Sequence, residues 1–174
     1  FTAQGNIRSL ASAVADHLRA GFYALDEERG TYRVVLDGGR TAIDFASLRG
    51  TDLGADLLGR DFSINAMALD IERPSELIDP LDGLADLRQK RLRACSPTSM
   101  SDDPARALRA VRLSIGLGME VDAPTLGWVQ AAVPLLARIS PERIRDELFR
   151  MLESPRFSSC VKMLDRLGLA SPIL

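Results

Sequence analysis

The chain has 174 residues, a formal net charge of -2 and two cysteines, enough for one ordinary domain or two small ones. With 46% hydrophobic and 26% charged residues it reads as a folded globular protein, and its balance argues against a generally basic nucleic-acid coat. No apolar run approaches the roughly 18 residues that span a bilayer, and the first residues lack the basic start and apolar block of a signal peptide. Cys95 and Cys160 have neither metal-ligand nor redox spacing, so free thiols in a reducing cytoplasm are the expectation.

Asn6 is placed to cap a first helix that carries Ile7, Leu10, Val14 and Leu18 at helical spacing. Phe22 to Leu25 reads as a short strand. Thr31 to Leu36 and Thr41 to Leu48 read as a β-hairpin around the turn sequence DGG, residues 37 to 39. In the second hairpin strand Ile43 and Phe45 alternate toward one face and Ala42, Asp44 and Ala46 toward the other. Asp is depleted in strands, and its small neighbours offer Asp44 neither cover nor a partner. Leu53 to Leu58 follows as a helical turn, RDFSINAMALDI (60 to 71) as a buried strand or strand–turn, and Glu76 to Asp79 as another strand.

Beyond about residue 95 the pattern turns to successive helices. SDDPARALRAVRLSIGLG opens with capping residues, carries Pro104 in its first turn and stops at Gly116 and Gly118. A second helix runs from Asp122 and Pro124 to about Arg138, a third starts at Ser140 and Pro141, and a fourth covers Phe157 to Leu167. In the third, Glu142 with Arg145 and Arg143 with Glu147 have ion-pair spacing. Trp128 and Phe149 are expected as packing anchors. RQKRLR (88 to 93) fits a solvated turn as well as an RNA-backbone contact, and His17 has no partner at ligand spacing.

On the helix after Pro104, Arg106, Arg109 and Arg112 recur every three residues, while Ala105, Leu108, Val111 and Ile115 form its apolar side. Asp103 stands three residues before Arg106, and with Ser101 and Asp102 free to cap, the two are expected side by side on one helix. Such a row suits a triphosphate; its plain alternative is a capping aspartate on a solvated basic face.

Taken in order, IDFASLRG (43 to 50), GRDFSINAMALD (59 to 70), IDPLDGLADLRQKRLRA (78 to 94), SDDPARALRAVRLSIGLGMEVDAPT (101 to 125) and ISPERIRDEL (139 to 148) resemble the class II tRNA nucleotidyltransferase and bacterial poly(A) polymerase family. The resemblance covers nearly the whole chain. It implies an α+β architecture, in which residues 1–95 are the remainder of a polymerase-β-like head, a small mixed sheet with helices, and 96–174 an all-helical neck with the start of a body. It implies RNA 3′-end nucleotidyl transfer with Mg²⁺, most simply CCA or A addition to tRNA from CTP and ATP. Poly(A) synthesis and a non-catalytic RNA-binding module are the alternatives.

By the same resemblance Asp44 matches a third metal-holding carboxylate, and Arg60 a triphosphate contact. Asp61 and Asn65 match groups that bond sugar hydroxyls or lock the loop, and Asp103 and Arg106 those that read the incoming base, with Arg109 and Arg112 beside them. One departure is Gly59, where the family has a first arginine. The other is larger. No D-x-D occurs in the chain, the nearest approach being Glu120-Val121-Asp122. The family's Gly-Gly and D-x-D motif would fall before Phe1. The expectation is therefore a fragment that is inactive alone, with a sheet edge open to dimerisation.

Overall fold

The structure is a computed structural model and describes residues 1–173. It divides into two compact units, Phe1–Asp56 and Leu57–Leu174.

In the first unit, β1 (Thr2–Ala3), α1 (Ile7–Leu18), β2 (Gly21–Asp26), β3 (Thr31–Leu36) and β4 (Thr41–Ser47) build one four-stranded sheet and a helix against it. The strand order is β1-β4-β3-β2, with β1 parallel to β4 and the remaining pairs antiparallel. The Asn6 side chain caps α1 by accepting the Ser9 N–H at 3.0 Å. Its buried stripe is Ile7, Ala11 and Ala15 with Val14 packed beside them, whereas Leu10 and Leu18 are exposed. The expected leucine face is thus displaced around the helix. The two alanines let α1 lie close on Tyr32, Val34 and Phe45 of the sheet. The DGG sequence makes the hairpin turn with Asp37, Gly38 and Gly39 all at positive φ, which only the glycines adopt without strain.

α2 (Leu53–Leu58) straddles the division. In the second unit come β5 (Ala68–Leu69) and β6 (Leu77–Ile78), paired with each other, then α3 (Gly83–Arg88), β7 (Arg91–Leu92), α4 (Ser99–Asp102) and α5 (Ala105–Leu117). β8 (Glu120–Val121) pairs parallel to β7, and α6 (Ala123–Ala131), α7 (Pro141–Leu152) and α8 (Phe157–Arg166) complete it. The α6 segment changes to a 3-10 turn over Val133–Arg138, because Pro134 has no N–H to continue an α-helix. Phe149, expected as an anchor, is exposed, while Trp128 does pack on the core.

The contact division falls at Asp56/Leu57, well before residue 95, for a packing reason. Phe62, Leu92 and Ala94 are buried in the same core as Leu108 and Val111 of α5, Met151 of α7 and Leu164 of α8. RDFSIN, read as a strand or strand–turn, is a 3-10 turn over Ser63–Asn65, and only Ala68–Leu69 beyond it pairs as a strand.

Candidate functional site

Asp61 organises the RDFSIN turn. Its Oδ1 accepts the Phe62 N–H at 2.8 Å and the Asn65 side-chain amide at 3.1 Å, so Asn65 locks the turn. Arg60 lies at the turn's rim, and its Nη1 reaches the Asn65 carbonyl at 3.4 Å. From below, Ser63 Oγ donates to Asp86 Oδ2 at 2.6 Å, and Asp86 is wholly buried between Arg91 of β7 and Arg93 just beyond it. Burial pushes the Asp86 carboxyl up, but Ser63 and the two guanidinium groups more than offset it and hold it below its ordinary value. Gly83 packs so close that a Cβ there would lie 2.1 Å from the Ser63 carbonyl oxygen.

α5 begins against this turn. Arg106 Nη1 donates to the carbonyl of Arg60 at 3.2 Å and to Ser99 Oγ at 2.8 Å, and its Nη2 to the carbonyl of Gly59 at 2.9 Å. Arg109 Nε lies 2.9 Å from Asp61 Oδ2, but its N–H is not directed at that oxygen, and both buried atoms are left without a hydrogen bond. Arg60, Asp61, Asn65, Arg106 and Arg109 therefore converge, and within the group Asp61 Oδ2 and Arg109 Nε keep unspent hydrogen-bonding capacity.

Asp103 sits differently from its expected place on a helix beside Arg106. It lies in the extended link between α4 and α5, at φ −146° and ψ 94°, because a residue before proline is driven out of the α region. Its main-chain carbonyl accepts the Arg106 N–H at 3.0 Å, so the two stay adjacent across the helix start. Its carboxylate is straddled by Arg143 Nη2 at 2.9 and 2.7 Å. Arg112 turns away from the cluster. Its Nε donates to the buried Glu147 of α7 at 2.7 Å, and Arg150 takes the other oxygen at 3.2 Å. Neither expected pair within α7 forms, since Arg143 and Glu147 are both spent on the region of α5 and Arg145 pairs with Asp146.

In the first unit, Asp44 has the partner that local reading denied it. The β3–β4 register sets Arg33 opposite Asp44, and Arg33 forks onto it at 2.6 and 2.8 Å. The hydrogen bond from Arg33 holds the Asp44 carboxyl below the usual range. The hairpin turn DGG was the signal that could have given this register. Arg143, Asp86 and Glu147 lie 40, 23 and 35 residues from the partners they serve, and no local spacing announces them.

Two family models match the chain: the poly A polymerase head domain over residues 17–93 and the probable RNA and SrmB-binding site of polymerase A over residues 118–174. The CC-adding tRNA nucleotidyltransferase of Geobacter sulfurreducens is 45% identical over 94% of this chain and 38% of its own length. The chain belongs to the class II CCA-adding and poly(A) polymerase family. Within the family, the A-adding tRNA nucleotidyltransferase of Deinococcus radiodurans is 39% identical over 91% of this chain and 37% of its own. A solved tRNA-processing enzyme with CTP superposes at a TM-score of 0.88 with 30% identity, over 99% of this chain and 48% of that one. The fold is accordingly the mixed α+β arrangement of CCA-adding enzymes, and the chain spans between about a third and a half of the length of the relatives it matches.

Nucleotidyl transfer in this family generally uses a divalent metal ion. Among the described residues no group of three or more His, Cys, Asp or Glu side chains could hold one, and Asp44 faces Arg33. The described residues do not fit a metal centre by themselves. Among the described residues no helix is long and apolar enough to cross a membrane.

Proposed function

We propose that the protein adds nucleotides to the 3′ end of tRNA from CTP or ATP without a template, and that the second unit of this chain holds the incoming nucleotide. One observation carries the reading: the RDFSIN turn and the start of α5 are stitched together through Arg106, which brings Arg60, Asp61, Asn65, Asp103 and Arg109 to one place. Asp103 accepts from the exocyclic amine that C and A share, Arg109 and Arg60 face phosphate oxygens, and Asp61 with Asn65 face the ribose. Arg112 is not assigned to the nucleotide. The names of the relatives, CC-adding and A-adding, support this substrate pair.

The head at 1–95 and neck at 96–174, a cytoplasmic location, magnesium as the ion and Asp44 as one of its carboxylates stand as parts of the same proposal. So does a second copy across an exposed edge of the sheet, which sedimentation at several concentrations checks. Poly(A) synthesis is the second reading, favoured by the two polymerase family models. The deciding experiment supplies the full-length protein with magnesium, labelled CTP or ATP, and either tRNA lacking its 3′ end or generic RNA. Addition of one to three residues to tRNA alone is expected; long A tracts on both RNAs would establish poly(A) synthesis instead, and no incorporation would refute both. The 174-residue chain by itself is expected to bind nucleotide and transfer none.

A further inference from the structure

Resting on the base-reading role proposed above for Asp103, we propose that Arg143 of α7 is a positioning residue that sets base selectivity, by fixing the Asp103 carboxylate as a rigid acceptor toward the incoming base. Asp103 lies in an extended link between helices, where nothing in its own segment fixes the carboxylate plane except one bond, from the Ala105 N–H to Oδ1 at 3.2 Å. Arg143 supplies the remainder. Its Nη2 bridges both oxygens, so the carboxylate cannot turn without breaking two charge-assisted contacts.

A carboxylate offers about four acceptor positions. Oδ1 receives Ala105 and Arg143, while Oδ2 receives Arg143 at 2.7 Å and keeps a further lone pair for a base. Cytosine and adenine present an exocyclic amine donor there, whereas uracil and guanine present a carbonyl acceptor. An ionised carboxylate accepts from the first two and repels the others. A protonated one could donate to the carbonyl and would lose the distinction. Burial raises the Asp103 carboxyl, but the hydrogen bond and charge of Arg143, with the Ala105 N–H and the Arg106 guanidinium, hold it below its ordinary value. The charges that face it are thus Arg143 from α7 and Arg106 from α5, and of these two only Arg143 bonds the carboxylate.

A structural reading of the same pair is a strut between α5 and α7. The two are separated by measuring CTP, ATP, UTP and GTP binding to the protein by calorimetry with magnesium, for wild type, Arg143→Ala, Arg143→Lys and Asp103→Ala, with thermal unfolding recorded in parallel. Arg143→Ala is expected to weaken CTP and ATP by about tenfold, the scale of one charge-assisted hydrogen bond, while UTP and GTP change less than about twofold. Arg143→Lys, which keeps the charge on a shorter and more flexible stem, is expected to recover part of the selectivity. A strut would move the melting temperature and leave the ratio of CTP to UTP affinity untouched; that outcome overturns the role given to Arg143. If Asp103→Ala abolishes the ratio while Arg143→Ala does not, only the Arg143 inference fails. If Asp103→Ala also leaves it unchanged, or wild type binds no CTP, the base-reading proposal itself fails.

Discussion

Replacing Asp86 by asparagine should unfasten the RDFSIN turn from beneath. Three bonds end on this wholly buried carboxylate: Ser63 Oγ at 2.6 Å, Arg91 Nε at 2.5 Å and Arg93 Nε at 2.8 Å. A bond to a charged group contributes about 1.5 kcal/mol at the lower end of its range. Asparagine keeps one acceptor oxygen; in the place of Oδ2 it retains Ser63 and Arg93 but turns its NH₂ toward Arg91, so one bond is lost outright and both guanidinium groups lose their anionic partner. The expected loss is about 3 kcal/mol, at the lower edge of what breaking a buried ion pair costs. In a chain of this size that corresponds to about 9 °C in melting temperature. The Asp86 carboxyl lies below its ordinary value in the folded protein, despite burial, through Ser63, Arg91 and Arg93. Its stabilising effect is therefore complete above the unfolded value of about 4 and is lost as pH falls through the folded value. Thermal unfolding followed by circular dichroism at pH 7, 5 and 3.5 checks both parts. A shift below about 3 °C at pH 7, or a difference between the two proteins that does not shrink at low pH, would refute the reasoning.

Gly83→Ala places a methyl group on the backbone of Ser63 with no flexible side chain to yield. It should cost about 2–3 kcal/mol in urea unfolding and weaken nucleotide binding with it. Asn6→Ala removes the cap on α1 and should lower stability by about 1 kcal/mol, read as a lower urea midpoint at unchanged slope. Burial, with the nearby Asp61 charge, pushes the Cys95 thiol up to about 12. Its alkylation at pH 8 should be at least about tenfold slower in the folded protein than in denaturant; equal rates would contradict that placement.

Local patterns in the sequence carried most of the elements but few of the ion pairs. The cap at Asn6, the hairpin around DGG and the helices that start at or beside Pro104, Pro124 and Pro141 follow from capping and turn chemistry that acts within four residues. The stripe on α1 was misplaced because Ala11 and Ala15 bury more completely than the larger Leu10 and Leu18. Helical spacing shows a period, but the sheet decides which phase is covered. The Asp103–Arg143 and Arg112–Glu147 pairs depend on the packing of α5 against α7, and that packing is tertiary. Asp44 lies between these cases, since its partner follows from a register that the turn already fixes.

The arginine row on α5 separates once its partners are known, and the separation is open to test. Arg112 is committed to an aligned ion pair: its Nε makes a 2.7 Å hydrogen bond to a buried glutamate. Arg109 stands three residues earlier, with its side chain 43% exposed and its Nε close to Asp61 but unbonded to it. A triphosphate must displace whatever an arginine already holds, so the misaligned contact is the one it can recruit at little cost, and the aligned buried pair is not. Arg109→Met should accordingly weaken ATP and CTP binding by about tenfold or more and leave the melting temperature within about 3 °C of wild type. Arg112→Met should do the reverse. It leaves Glu147 buried with only Arg150, at a cost of about 3 kcal/mol in stability, while nucleotide affinity in the folded protein stays within about twofold. Calorimetric titration beside thermal unfolding reads both variants. If Arg112→Met abolishes nucleotide binding while the protein remains folded, the guanidinium of Arg112 reaches the nucleotide after all, and its pairing with Glu147 is a resting contact that substrate breaks.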